Sequence, residues 1–200
     1  VGSVQVVEVN PPTEYIVVLD QLTGNGTIGI LIREGIASDD AGNFSEAAGP
    51  SELVTVDNSP PTVAIGNPST SNTRQGPVDF PVTFFNADAI DLESTDVVVN
   101  TSGTAAFGQV AVTGPGLQAC TVTLSGLSGN GIVSITLPEG AASDAAGNIS
   151  AAATSVDVTI DNIAPTAAIG APNVSATNTG PVAFPVLFNG ASTVTLAAGD

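Results

Sequence analysis

The sequence predicts an all-β fold made of tandem β-sandwich domains, each of about seven strands, arranged end to end. Three observations carry that expectation. Apolar and polar residues alternate through many short runs, as in VDFPVTF at 78–84, which is the period of a half-buried strand. The 22 glycines and 14 prolines break the chain into short elements. Strings also return: ASDDAGNFS at 37–45 comes back as ASDAAGNIS at 142–150, the mark of a repeated unit.

Taken in order, the complete repeat opens after the Pro60-Pro61 break with a short strand over Val63 to Gly66. In the next strand Val78, Phe80, Val82 and Phe84 face one way. Pro81 has no N–H, so that position is expected at an edge or a bulge. Further strands are expected over Asp96 to Asn100, Phe107 to Thr113 and Ala119 to Ser125. Val133, Ile135 and Leu137 alternate with Ser134 and Thr136, and Val156, Val158 and Ile160 with Asp157 and Thr159. Helical periodicity is negligible, and a single turn near Glu139 to Ser143 is the most the pattern allows.

The offsets set the frame. Asp144 follows Asp39 by 105 residues (144 − 39), and Asn130-Gly131 follows Asn25-Gly26 by the same step. Asp161-Asn162 follows Asp57-Asn58 by 104 (161 − 57), as Phe184-Pro185-Val186 follows Phe80-Pro81-Val82. One-residue slips fall in loops, where insertions are tolerated. Residues 1–59 therefore read as the C-terminal part of one repeat, 60–163 as a complete repeat, and 164–200 as the N-terminal part of a further one. In that last part Val182, Phe184, Val186 and Phe188 are expected to face inward, and an incomplete sandwich exposes such a row together with its strand edges. The completing strands are expected from the continuation of a longer array, or from residues 1–59 of a neighbouring copy by strand complementation.

Composition narrows the function. Hydrophobic residues make up 42% of the chain and the mean hydropathy is +0.36, which favours a packed core over disorder. There are 19 acids against Arg33 and Arg74, no lysine and no histidine, for a net charge of −17. Such a field repels phosphate backbones and anionic lipid heads, so nucleic acid is not an expected partner. No apolar run reaches the roughly 20 residues that span a bilayer, so no membrane insertion is expected within these residues. The opening VGSVQVVEVN lacks the basic start and apolar core of a secretory signal, which secretion would place outside this stretch. Cys120 alternates with Val122 and Leu124 and reads as a small core residue. Its counterpart in the earlier copy is Tyr15, an exchange hard to reconcile with a catalytic thiol.

The string LPEGAASDAAGNISAAATSVDVTIDNIAPT resembles the bacterial Ig-like repeats of giant surface adhesins and biofilm-associated proteins. In these a strand runs into a D-x-x-G-N loop and a last strand ends near the proline where the next domain begins. The linker Asp161-Asn162-Ile163-Ala164-Pro165 is also similar to the D-N-A-P linker of cadherins, without its preceding acidic part. The resemblance covers the whole chain. It implies Ig-like β-sandwiches serving as spacers in a secreted or cell-surface protein, an extended stalk or filament for adhesion or biofilm matrix. It also implies a structural Ca²⁺ at the domain junctions. Carried over by residue, the ligands would be Asp39 and Asp144 from the loops, Asn43 and Asn148 beside them, and Asp57 and Asp161 from the linkers.

Two readings of these residues stand side by side. Calcium takes six to eight oxygen ligands, and loop and linker offer carboxylates, amides and carbonyls. The same residues are also good turn chemistry: Asp and Asn close Asx turns and glycine supplies a positive φ. The loop lacks the D-x-D-x-D-G order of an EF-hand. A second acidic group comprises Asp88, Asp91, Glu93 and Asp96, whose counterparts are Ser192, Thr195, Ala197 and Asp200. Only the Asp96 position keeps its acid, which marks Asp96 as part of the recurrent architecture, adding it to the metal candidates, and the others as a solvated loop.

No enzyme is expected. Without histidine or lysine the usual bases, Schiff-base amines and zinc–histidine sites cannot be built. A carboxylate pair is formally available, but its best members recur in every repeat, as an active site does not. The rival readings are a glycan- or cell-binding adhesin module, for which the Asp88–Asp96 loop is the candidate, and an accessory domain of a secreted enzyme. The expected partners are neighbouring Ig-like domains, copies of the same protein, or a surface glycan or cell. Sequons at Asn25, Asn43, Asn100, Asn148 and Asn173 matter only in a source that glycosylates.

Overall fold

The computed structural model describes residues 2–199 apart from 12, 115 and 117. Among the described residues there are strands, turns and bends but no helix. Residues 1–59 contain β1 (Ser3–Asn10), β2 (Glu14–Asp20), β3 (Gly26–Ile28) and β4 (Val54–Val56). Next come β5 (Thr62–Ile65), β6 (Asn72–Thr73), β7 (Val78–Phe85), β8 (Ala89–Ile90) and β9 (Val98–Thr101). The chain continues through β10 (Gln109–Thr113), β11 (Ala119–Ser125), β12 (Gly131–Leu137), β13 (Ala142–Ser143), β14 (Ala153–Thr154) and β15 (Val158–Ile160). Residues 164–199 add β16 (Thr166–Ile169) and β17 (Val186–Asn189).

In residues 60–163 one antiparallel sheet runs β10-β11-β7-β5. The other is built on β12, with β9 along one edge and β14 and β15 along the other, and β6 joins β15 in parallel. The alternation read from the sequence decides what lies between them. Val78, Phe80, Val82 and Phe84 of β7 and Cys120, Val122 and Leu124 of β11 meet Val133, Ile135, Leu137, Val158 and Ile160 in one hydrophobic core. Each fully buried aliphatic or phenyl side chain contributes roughly 1.5–3 kcal/mol by leaving water. Cys120 belongs to this core, and burial pushes its thiol pKa up.

Three expectations shift. The helical turn near Glu139 to Ser143 is a turn at 139–140 followed by β13, whose Ala142 pairs with Ile90 and is buried in the core. The strand expected from Asp96 begins at Val98, because Asp96 closes a turn: its N–H donates to the Glu93 carbonyl at 3.2 Å and its Oδ2 accepts from Glu93 N at 2.8 Å. Pro81 is not on an edge strand, since β7 lies between β11 and β5. In an antiparallel ladder the N and O of one residue point to the same side. The Pro81 carbonyl accepts from Gly66 N at 2.8 Å, so its missing N–H also faces Gly66, just past the end of β5. Proline therefore sits where the β5–β7 ladder stops and the chain crosses to β6 in the other sheet. Gly170 and Pro185 repeat the arrangement, with Gly170 N donating to the Pro185 carbonyl at 2.8 Å.

The last strand is divided into β14 and β15. Between them the buried Ser155 hydroxyl accepts from Ile135 N at 3.0 Å and donates to the Val156 carbonyl at 3.0 Å. A side chain thus replaces the interrupted ladder, as a buried N–H requires.

The flanking segments reproduce these registers. Thr166 pairs with Asn189 as Thr62 pairs with Phe85, and Gly26 pairs with Val56 as Gly131 pairs with Ile160. Their apolar rows are open: Phe184 is 57% exposed, while its counterpart Phe80 is 0% exposed.

Candidate functional site

The recurrent motifs occupy the two ends of the central unit, and β12 determines which end each takes. It runs from the Asn130-Gly131 turn toward the loop at 144–148. Seven residues at about 3.3 Å each make β12 roughly 23 Å long, with the Asn130 turn before its start and the 144–148 loop after its end. The loop lies at the leading end, beside the incoming linker. The Asn130 turn lies at the trailing end, where the chain leaves.

At the leading end Asp144 closes its own loop. Its Oδ1 accepts from Ala146 N and Asn148 N, both at 2.9 Å, and its Oδ2 accepts from Asn148 Nδ2 at 2.8 Å. Gly147 makes this possible with a φ of 89°, a region costly for residues with a Cβ. The second proton of the Asn148 amide goes to the Asp57 carbonyl at 3.0 Å, tying the loop to the preceding linker. Asp88 joins from the side, its Oδ2 accepting from Ala145 N at 2.8 Å. The Asn148 amide, followed by the loop N–H groups, holds the Asp144 carboxyl below the ordinary aspartate range. Asp39 repeats the loop: it accepts from Ala41 N, Asn43 N and Asn43 Nδ2, and is lowered in the same way by Asn43.

At the trailing end Asn162 clamps a turn far away in sequence. Its N–H donates to Asn130 Oδ1 at 2.7 Å, and its Nδ2 donates to the Gly129 carbonyl at 2.6 Å and the Arg74 carbonyl at 2.9 Å. Asn58 does the same one repeat earlier, with its N–H on Asn25 Oδ1 at 2.6 Å and its Nδ2 on the Gly24 carbonyl at 2.7 Å. The acid before each asparagine turns the chain outward: Asp161 Oδ1 accepts from Ile163 N at 2.8 Å, and Asp57 Oδ1 from Ser59 N at 2.9 Å.

Asp144 and Asp161 of one unit are thus not brought together. The linker that Asn148 touches is that of Asp57. Every sequence-expected ligand (Asp39, Asn43, Asp57, Asp96, Asp144, Asn148 and Asp161) is engaged in closing a turn or, for Asn148, in joining two segments. Asn25, Asn58, Asn130 and Asn162 carry the trailing clamp and were not expected as site residues. Their signal was present in the sequence, as two Asn-containing pairs recurring at steps of 105 (130 − 25) and 104 (162 − 58) residues.

Both oxygens of Asp39 and of Asp144 already receive N–H donors, and a cation at an Oδ2 would share that oxygen with the Asn43 or Asn148 amide. Among the described residues no group of three or more acidic, cysteine or histidine side chains gathers. No protein-family model, curated protein or solved structure matches the chain.

Proposed function

We propose that the chain is a structural, non-catalytic repeat region of a secreted or cell-surface protein, in which Ig-like β-sandwiches follow one another end to end as a stalk or filament for adhesion or matrix. The strand switch supports an Ig-like unit: β5 pairs in one sheet and β6 in the other, parallel to the last strand. The observation that carries the spacer role is the recurrence of both end devices. The Asp-Asn loop and the asparagine clamp each appear twice with the same hydrogen bonds, and the Asn148–Asp57 bond spans a junction between units. The end devices shape each unit's two ends, and the Asn148–Asp57 bond joins one unit to the one before it.

Stiffness in this reading comes from the short linker and the Asn148–Asp57 bond across it. A structural calcium ion at the Asp144 loop is an addition that chelation tests. Small-angle scattering tests the spacer role: the expected pair-distance distribution is that of a rod. A compact, near-spherical particle would overturn it.

A further inference from the structure

The central unit has both of its sheets within residues 60–163, and one long side of it carries an open strand edge. β10 ends the order β10-β11-β7-β5, and among the described residues no strand pairs with its outer side. The linkers leave this unit at its two ends, at Asp57 and at Asn162. The side that carries β10 is therefore not where a flanking unit attaches.

The ladder fixes which backbone groups that edge presents. Along an antiparallel strand the N–H and C=O of successive residues point alternately to the two sides. Phe84 N donates to the Gln118 carbonyl at 2.8 Å, so Gln118, Cys120, Val122 and Leu124 face β7. Thr121 and Thr123 then face β10, and their register partners Thr113 and Ala111 face β11. Val110 and Val112 are left with N–H and C=O on the open edge. Their side chains pack against the core and are only half-buried, whereas their register partners Leu124 and Val122 are 0% exposed.

Sheet edges are ordinarily guarded by charge, proline or a bulge. β1, the counterpart of β10, carries Glu8 and a register shift between Glu8 and Asn10. β10 has neither: Gln109-Val110-Ala111-Val112-Thr113 is uncharged and keeps an unbroken register with β11. The neutral stretch is wide. Residues 97–138 contain no charged side chain, in a chain of 19 acids and two arginines. Within the four strands of this sheet the one acid is Asp79 on β7.

We infer that β10 pairs with β10 of a second copy, antiparallel about a two-fold axis at Ala111, making one eight-stranded sheet across two molecules. The edge is complementary to itself, because Val110 and Val112 flank Ala111 symmetrically. In this register Val110 exchanges both backbone hydrogen bonds with Val112 of the second copy, and the axis repeats the exchange. The half-buried valines also meet on the core side, which continues the row of β11 across the contact. Charge favours a copy at this place. The two Asp79 side chains would lie five strand spacings apart, about 24 Å, beyond the roughly 8 Å screening length at physiological ionic strength. Acidic faces elsewhere repel another copy. The contact is isologous and closes at a dimer. It sets two molecules side by side, goes beyond the spacer reading and does not depend on it.

Sedimentation of the unsubstituted 200-residue chain, from micromolar to millimolar concentration, should show the average mass rising from 19.6 kDa toward twice that value, and more steeply with added salt. Ala111→Glu places like charges opposite each other on the axis. It should keep the melting temperature and abolish the rise. Cross-linking reads the register, in chains that also carry Cys120→Ala. Ala111→Cys sets two thiols on a non-hydrogen-bonded pair with Cα atoms about 4.5 Å apart, within disulfide reach, and should dimerise under mild oxidation. Gln109→Cys alone places its thiols about 13 Å apart and should not, whereas mixing Gln109→Cys with Thr113→Cys chains should give the mixed dimer. A monomer at every concentration, association that survives Ala111→Glu, or equal cross-linking of Ala111→Cys and Gln109→Cys overturns the inference. Scattering from the Ala111→Glu monomer tests the spacer reading separately, so either can fail alone.

Discussion

Replacing Asn162 with alanine isolates the trailing clamp. The substitution deletes two side-chain bonds, to the Gly129 and Arg74 carbonyls at 2.6 and 2.9 Å, and leaves the backbone bond to Asn130. Both carbonyls sit near the surface and regain water, so each bond contributes about 0.5–1 kcal/mol net and the loss is about 1–2 kcal/mol. For a unit of this size that corresponds to a fall of roughly 5–15 °C in melting temperature. With no tryptophan in the chain, calorimetry or far-ultraviolet circular dichroism is the suitable assay. Asn58→Ala is the matched control, because its side-chain bond to Gly24 lies outside the central unit. It should leave the central transition within about 0.5 kcal/mol. Asn130→Ala removes the acceptor of the remaining bond, so the double variant should be less than additive by about 0.5 kcal/mol or more. A central transition unmoved by Asn162→Ala, or fully additive losses, would refute the clamp.

Three further predictions follow from the same geometry. Asp144 is held low by the Asn148 amide; a lowered acid stabilises fully above the ordinary aspartate range and loses that contribution as pH falls through its folded-state value. Asp144→Asn should therefore flatten the acid limb of the stability–pH curve, and an unchanged acid slope counts against the carboxylate role. Gly131→Ala should cost the central unit about 3 kcal/mol, since a Cβ there would overlap the Ser102 carbonyl oxygen, whereas Gly26→Ala meets no atom within 4 Å; equal effects in thermal melts would contradict the packing difference. Chelator titration followed by calorimetry should leave the melting temperature unchanged, and an increase with added calcium, as mass action demands of a bound ion, would replace the turn-closing reading with a metal site.

Much of the fold was legible because its signals are local. Alternation at period two marked β7, β11 and β12 and their core faces. Recurrence marked the Asp39 and Asp144 loops as architecture rather than as an active site. Glycine and asparagine marked the turns, because few residues tolerate the backbone there. Pro81 was expected at an edge or a bulge and lies instead on an inner strand, at the point where β5 leaves β7, a departure invisible along the chain.

By itself the sequence determined the all-β character, the recurrence of its motifs, and the residues available to close turns. Only the tertiary structure decided where those residues meet. It placed Asn148 against Asp57 rather than Asp161, and Asn162 on a turn more than 30 residues away. It also divided the first strand between two sheets. Side-chain period and turn preference arise from neighbouring residues, so they can be read in order. Strand pairing and end-to-end placement depend on which distant segments bury one another's apolar faces, and that is decided when the sheets close on their core.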